Sequence, residues 1–552
     1  MRAPCFLAPR DFRGQNTTNA PRRSAGRGPD APVGAVAAGH RLTARAGAEA
    51  LARGGGAVDA VCAAAFAGAV AESPLTGPGA GGFLLTRDPD GATALLDFFV
   101  AVPGLGPRGR ALDPDELSSF TVPFGGADQV FHIGPASVAV PGMIAGLGEA
   151  HRRAGRLPLP DLVEPAVRLA REGVVLGAEA AYLHEILGGM LTATPEAAAV
   201  YAPGGRLLGE GERIALPDLA DTLAHLGQAG AASMRDGALA QAIVAHLRAT
   251  GGLVTRDDLA GYRVVERAPL EVDYRGVTVL TNPPPSSGGA LIAAALRELA
   301  AHPPPADDVA HYRAVARAGA AANALRDDDF ARDLREEDCM ERLWARLAGP
   351  ADAPGPPATR KPAGSTTHIS AVDADGGMAS LSSSNGSGSG VIVPGTGILL
   401  NNMLGEEDLN PGGFGRLPAG VRMTSMMAPT LLLRDGEPLL ALGSAGSNRL
   451  RSAILQTMVS VIDGDLGCAR AVARPRVHPE GDGVDVEGGV PEAAIAALAA
   501  DGHRLRRWGA ANLFFGGVGA AGRGTGGLEA AGDFRRGGAA AGVTAAGQVI
   551  DL

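Results

Sequence analysis

One short run in this chain combines a hydroxyl nucleophile with a way to activate it. Ser365, Thr366, Thr367 and His368 stand where a Pro-, Ala- and Gly-rich stretch, Ala348 to Ser365, gives way to alternating apolar residues. If the Ser365–Thr366 peptide bond breaks, Thr366 becomes an amino-terminal residue. Its α-amine, with a pKa of about 8, is then partly neutral at pH 7. That amine can take the proton of its own Oγ1, directly or through a water, and no histidine base is required. The plainer reading is a threonine that simply opens a strand. His368 stands alone, and on spacing it reads as structural rather than as a ligand. The eleven His are dispersed without an HExxH pattern, and Cys5, Cys62, Cys339 and Cys468 lack metal-ligand or disulfide-framework spacing. Neither a Walker A loop nor a dinucleotide fingerprint follows a suitable strand. No metal and no cofactor are expected.

The elements around Thr366 must hold it. THISAVDADGGMASLS alternates, turns at Asp373 to Gly377 and alternates again, which predicts a hairpin that begins at the linker's end. A second hairpin is predicted over FLLTRDPDGATALLDF, turning at Asp88 to Gly91, and a strand pair over APLEVDYRGVTVLTN. Further strands are expected at Gly390 to Val393, over Ala428 to Gly443 and near ANLFFGG. AGAEALARGG reads as a helix stopped by Gly54 to Gly56, and VDAVCAAAFAGAVAE as a buried one. Residues 140–345 read as mainly helical, with loops near 180–215. NRLRSAILQTMVSVI repeats Leu450, Ile454, Met458 and Ile462 on one helical face, and PEAAIAALAADG is a helix ended by Gly502. Strands on either side of helices predict an α+β or layered body. Residues 1–32 read as a disordered tail.

Composition limits the partners. The chain carries 49 basic and 59 acidic residues with no long basic run, so nucleic acid is not expected as a partner. The longest uncharged stretch is rich in Ser and Gly rather than apolar, so no membrane span is expected. The start lacks a sustained apolar segment, which predicts a cytoplasmic protein, with export if the true N-terminus differs. Gly is 81 of 552 residues, so isolated Gly-x-Gly runs carry no meaning, and the Ala- and Gly-rich region 516–547 reads as compositional bias.

The stretch TTHISAVDADGGMASLSSSNGSGSGVIVPGTGILLNNMLGEEDLNP resembles the start of the small subunit of gamma-glutamyltransferases, members of the N-terminal-nucleophile hydrolases. VRMTSMMAPTLLLRDG, GSAGSNR, PLTGPGAGGF, LLDFFVAVPG and NPPPSSGG continue it in order over about residues 33–548. The resemblance implies a four-layer αββα fold and a precursor cut before Thr366 into parts 33–365 (behind the tail) and 366–552, one catalytic body. It implies Thr366 as nucleophile, Ser384 as a supporting hydroxyl, and the backbone amides of Gly446 and Ser447 as the oxyanion hole. Thr424 and Ser425 match a pair of serines that hold a substrate carboxylate, Glu406 matches an acidic residue and Asn385 an asparagine at the amino end. Ser384 stands where threonine is commoner and Ser447 where the family usually has glycine, each keeping the needed hydroxyl or amide; two other positions depart in kind. Phe99 stands where the family has an arginine on the carboxylate, and Met403 where it has a polar residue. A phenyl ring cannot form a charge-assisted fork, so either Arg422 or Arg449 replaces the lost cation or the acyl group differs. The expected activity is hydrolysis or transfer of gamma-glutamyl amides such as glutathione. The substrate is a small-molecule amide, and water or an amine is the acceptor. The alternatives are an acylase for non-glutamyl N-acyl amides, of the cephalosporin type, and a catalytically weak relative with a binding role.

Overall fold

The structure, a computed structural model, describes residues 31–124, 127–348, 366–481, 483–524 and 526–552. Two large antiparallel sheets form its centre. The first has eight strands in the order Val549–Asp551, Ala539–Thr544, Pro32–Ala38, Thr367–Val372, Met378–Ser384, Gly81–Arg87, Thr93–Phe98 and Val265–Arg267. The second has six, in the order Gly527–Gly532, Gly517–Gly524, Glu437–Ala445, Thr430–Arg434, Val277–Thr281 and Leu270–Tyr274. The two central strands of the first sheet, Thr367–Val372 and Met378–Ser384, pack on Glu437–Ala445 of the second.

Each layer follows from the two-residue period of a strand. Ile369 and Ala371 face one side and join a core with the helices Arg41–Ala52, Ala57–Ala71 and Leu159–Glu172. His368 and Ser370 face the other side, toward the second sheet. The second sheet buries its outer face against Ser287–Ala300, Asp308–Ala324 and Arg449–Ile462. A third apolar cluster, including Phe83, Leu85, Leu431, Leu433 and Ala441, lies between the sheets. The result is the αββα sandwich. The helix Ala57–Ala71 is buried along almost its whole length, and its alanines let it lie close to the strands beneath.

The hairpins at 81–98, 270–281 and 367–384 form as the alternation predicts. The region near 180–215 differs from expectation: it carries the short helices Ala178–Ile186, Gly188–Leu191 and Pro195–Tyr201. Tertiary burial of Met190, Leu191, Ala197 and Tyr201 stabilises turns too short to show a period. The strand expected near ANLFFGG begins at the last residue of that stretch, Gly517, after a single 3-10 turn at Leu513–Phe515. The Ala- and Gly-rich region is not mere bias: Gly517–Gly524, Gly527–Gly532 and Ala539–Thr544 are sheet strands in the sandwich. A Cβ on Gly519 would lie 3.3 Å from the His368 ring and 3.6 Å from the Ala37 carbonyl oxygen. Small residues there allow the sheets to meet. Pro32, assigned to the tail, opens the strand Pro32–Ala38. Ser365 and most of the linker lie outside the described residues. Among the described residues no helix is long and apolar enough to cross a membrane.

Candidate active site

Thr366 immediately precedes the central strand Thr367–Val372. The register pairs Thr367 with Ser383, which leaves Thr366 opposite Ser384. Both lie on the alternation that faces between the sheets, and the Thr366 hydroxyl stands 3.4 Å from Ser384 Oγ as a hydrogen-bond donor. Ser384 Oγ in turn accepts from the Gly386 amide at 2.9 Å. A narrow cavity of ≈ 50 Å³ opens over this pair. Its walls are Phe99, Thr366, Ser384, Gly386, Met403, Glu406, Asp408, Leu409, Ser425, Met426, Met427, Ser447 and Leu450.

The turn Gly446–Ser447 follows the inner strand Glu437–Ala445 and precedes the helix Arg449–Ile462. Gly446 has φ 118° and Ser447 φ 51°. Glycine is required at 446, because a Cβ there would meet Gly516 Cα at 3.0 Å and the Arg536 guanidinium at 3.3 Å. Ser447 has room for its side chain, and its hydroxyl donates to Asp408 Oδ2 at 3.0 Å. Among the described residues neither amide of this pair donates to another group.

Phe99 is buried in the cavity wall and stacks on Phe83 with ring centroids 5.4 Å apart. Met403, Met426, Met427, Leu409 and Leu450 complete an apolar lining. Glu406 accepts from the Ser387 amide at 3.0 Å and its hydroxyl at 3.2 Å. Burial nevertheless raises the pKa of Glu406 above the ordinary carboxylate value. Ser425 reaches the wall, its Oγ accepting from the Met427 amide at 3.1 Å. Thr424 does not: its hydroxyl donates to the Pro285 carbonyl at 2.6 Å. Asn385 is also turned away, donating to the Pro74 carbonyl at 3.2 Å. It follows Ser384 directly, so the strand's alternation sends the two side chains to opposite faces.

Neither proposed replacement for the missing cation reaches the cavity. The Arg422 guanidinium donates to the Phe99 and Arg263 carbonyls, pairs with buried Asp97 at 3.4 Å and lies 4.5 Å over the Tyr262 ring. Arg449 donates to the Phe514 carbonyl at 3.3 Å and lies 4.8 Å over the Phe514 ring. Both are committed to holding loops. Among the described lining residues none is cationic and two, Glu406 and Asp408, are acidic. His368 is structural, bonded to Ser382 and Ser370 at 2.8 and 2.9 Å. Burial lowers its pKa to about 3, so it stays neutral. Sequence reading missed Asp408, Leu409, Met426, Met427 and Leu450. Their only signal was adjacency to assigned residues, in GEEDL, TSMMA and GSNRL.

Two antiparallel sheets between helical layers, with a threonine at the head of an inner strand, define the N-terminal-nucleophile hydrolase class. Within that class the chain belongs to the gamma-glutamyltranspeptidase family, whose description matches residues 43–543. It is 32% identical over 501 residues to the Acylase ACY 1 proenzyme of Pseudomonas sp. (strain SE83), a match spanning 86% of this chain and 87% of that one. It is 30% identical over 512 residues to the Glutathione hydrolase proenzyme of Escherichia coli (strain K12), spanning 86% of each. The crystal structure of cephalosporin acylase from Bacillus halodurans shares its fold with a TM-score of 0.78 and 27% identity, covering 98% of this chain and 99% of that one. The protein is an enzyme of hydrolase and acyltransferase type, from a family whose threonine nucleophile is released autocatalytically.

Proposed function

We propose that the enzyme is an acylase for small N-acyl amides whose acyl group is apolar, working through an acyl-enzyme on Thr366. The observation that carries this is the cavity wall. Phe99 and Met403 replace polar contacts, three methionines make the lining soft and adaptable, and no described lining residue is a cation. A glutamyl α-carboxylate would face two acidic groups and no guanidinium. Loss of such a buried charged contact commonly costs about 2–5 kcal/mol. Similarity to acylases as well as to glutathione hydrolases is consistent with this choice.

Cleavage before Thr366 leaves parts of 365 and 552 − 365 = 187 residues. The new α-amine takes the Oγ1 proton as Oγ1 bonds to the substrate carbonyl carbon. The Gly446 and Ser447 amides hold the oxyanion, and the Ser384 hydroxyl orients Oγ1. The leaving amine departs with the proton, and water or an amine then releases the acyl group from the threonine ester.

A panel of N-acyl amides and gamma-glutamyl anilides tests the reading, with intact masses measured in parallel. Two chains, with faster turnover of apolar N-acyl amides, are expected. Thr366→Ala should remain one 552-residue chain without turnover. Faster turnover of glutathione or gamma-glutamyl anilides than of apolar amides would overturn the substrate assignment.

A further inference from the structure

We infer that Asp408 is a positioning residue for the oxyanion turn: its carboxylate holds Ser447 in the left-handed backbone conformation that aims the Gly446 and Ser447 amides. The inference rests on the acyl-enzyme reading above and adds to it the device by which a serine serves at that turn.

A residue with a Cβ enters the left-handed region at a cost that glycine escapes. Ser447 lies there, at φ 51°. Its side chain is tied across the cavity: the hydroxyl donates to Asp408 Oδ2 at 3.0 Å. A carboxylate acceptor strengthens such a bond. Asp408 is itself fixed. It sits in the 3-10 turn Glu407–Leu409, and Asn410 braces the surrounding loop by donating to the Leu404 and Glu406 carbonyls at 3.2 and 2.9 Å. The bond therefore joins two loops of the same cavity wall and sets the turn from outside its own backbone. Small misplacements of oxyanion donors matter, because they act only where charge develops.

A mutant cycle on the processed enzyme separates this role from direct contact with substrate. Asp408→Ala and Ser447→Ala should each lower kcat roughly 10- to 100-fold, less than the full loss of an oxyanion donor, with KM nearly unchanged. Ser447→Gly needs no tether, so adding Asp408→Ala to it should change kcat less than about 3-fold, whatever rate Ser447→Gly sets. Asp408→Asn keeps an oxygen acceptor and should recover most of the rate, and it also serves if Asp408→Ala does not mature. An equal Asp408→Ala penalty in the Ser447→Gly background, a rise in KM instead of a fall in kcat, or an Asn variant as poor as Ala would overturn the assignment. Turnover that survives Thr366→Ala overturns the acyl-enzyme reading itself, and is seen before any Asp408 variant is assayed.

Discussion

Phe99 changes the site's chemistry without changing the strand it follows. The backbone there is held from behind: Arg422 and the Tyr262 hydroxyl both donate to the Phe99 carbonyl. Only the ring enters the cavity, where it stacks on Phe83. Phe99→Ala should therefore widen the pocket and shift relative kcat/KM toward bulkier acyl groups. It should also destabilise the fold by about 3–5 kcal/mol, because a buried aromatic leaves a cavity. A substrate series and a urea titration read the two effects, and unchanged selectivity would place the acyl group elsewhere. The identity of Phe99 was legible in the sequence. The loss of Arg422 and Arg449 as substitutes was not, because their partners Asp97 and Phe514 are distant in sequence.

The central hairpin converts alternation into a site. Its even-numbered residues from Thr366 to Ser384 face between the sheets, while Thr367 and Ser383 face the helices, where they meet Glu72 and Thr76. A shift of one residue would exchange the two sets. Close sheet approach is the other requirement. Gly443, on the facing strand Glu437–Ala445, has no room for a Cβ because the His368 imidazole occupies that space. Gly443→Ala should destabilise by about 1–3 kcal/mol through overpacking. It should also slow turnover, since the same strand carries the Gly446–Ser447 turn. Thermal unfolding and kcat test this, and a variant as stable as the parent would show that the imidazole can move aside. The hairpin was plain from the sequence; the reason for glycine at 443 and 519 was not, since it depends on which side chain lies across the gap.

Over the whole molecule, helix and strand layers bury the Glu72 carboxylate almost completely. Glu72 ends the buried helix Ala57–Ala71 and accepts a hydrogen bond from the hydroxyl of Thr367, the residue after Thr366. Burial pushes its pKa up to about 7, against the Thr367 bond that lowers it. The folded state thus keeps a proton that the unfolded chain releases near pH 4.5. Stability from this group is present below that pH and is lost as pH rises to about 7, by up to roughly 3 kcal/mol. Glu72→Gln should remove that decline and be more stable than the parent above pH 7. Denaturation midpoints at pH 4.5, 6 and 8 check the sign; parallel curves for the two proteins would refute it.

By itself, the sequence determined the local elements and, through the motif resemblance, the candidate nucleophile. Period-two alternation, turn residues and the linker's end are encoded within a few neighbours, and they marked Thr366 and the hairpin behind it. The motif resemblance marked Ser384, Gly446 and Ser447, and Ser384 and Ser447 line the cavity with Thr366. Only the tertiary structure decided the rest. It turned Asn385 and Thr424 away, engaged both spare arginines, brought Asp408 to Ser447, and made the glycine-rich C-terminal region part of the sandwich. Those outcomes depend on which atoms compete for the same space and the same hydrogen bonds across hundreds of residues, and local pattern carries no record of that competition.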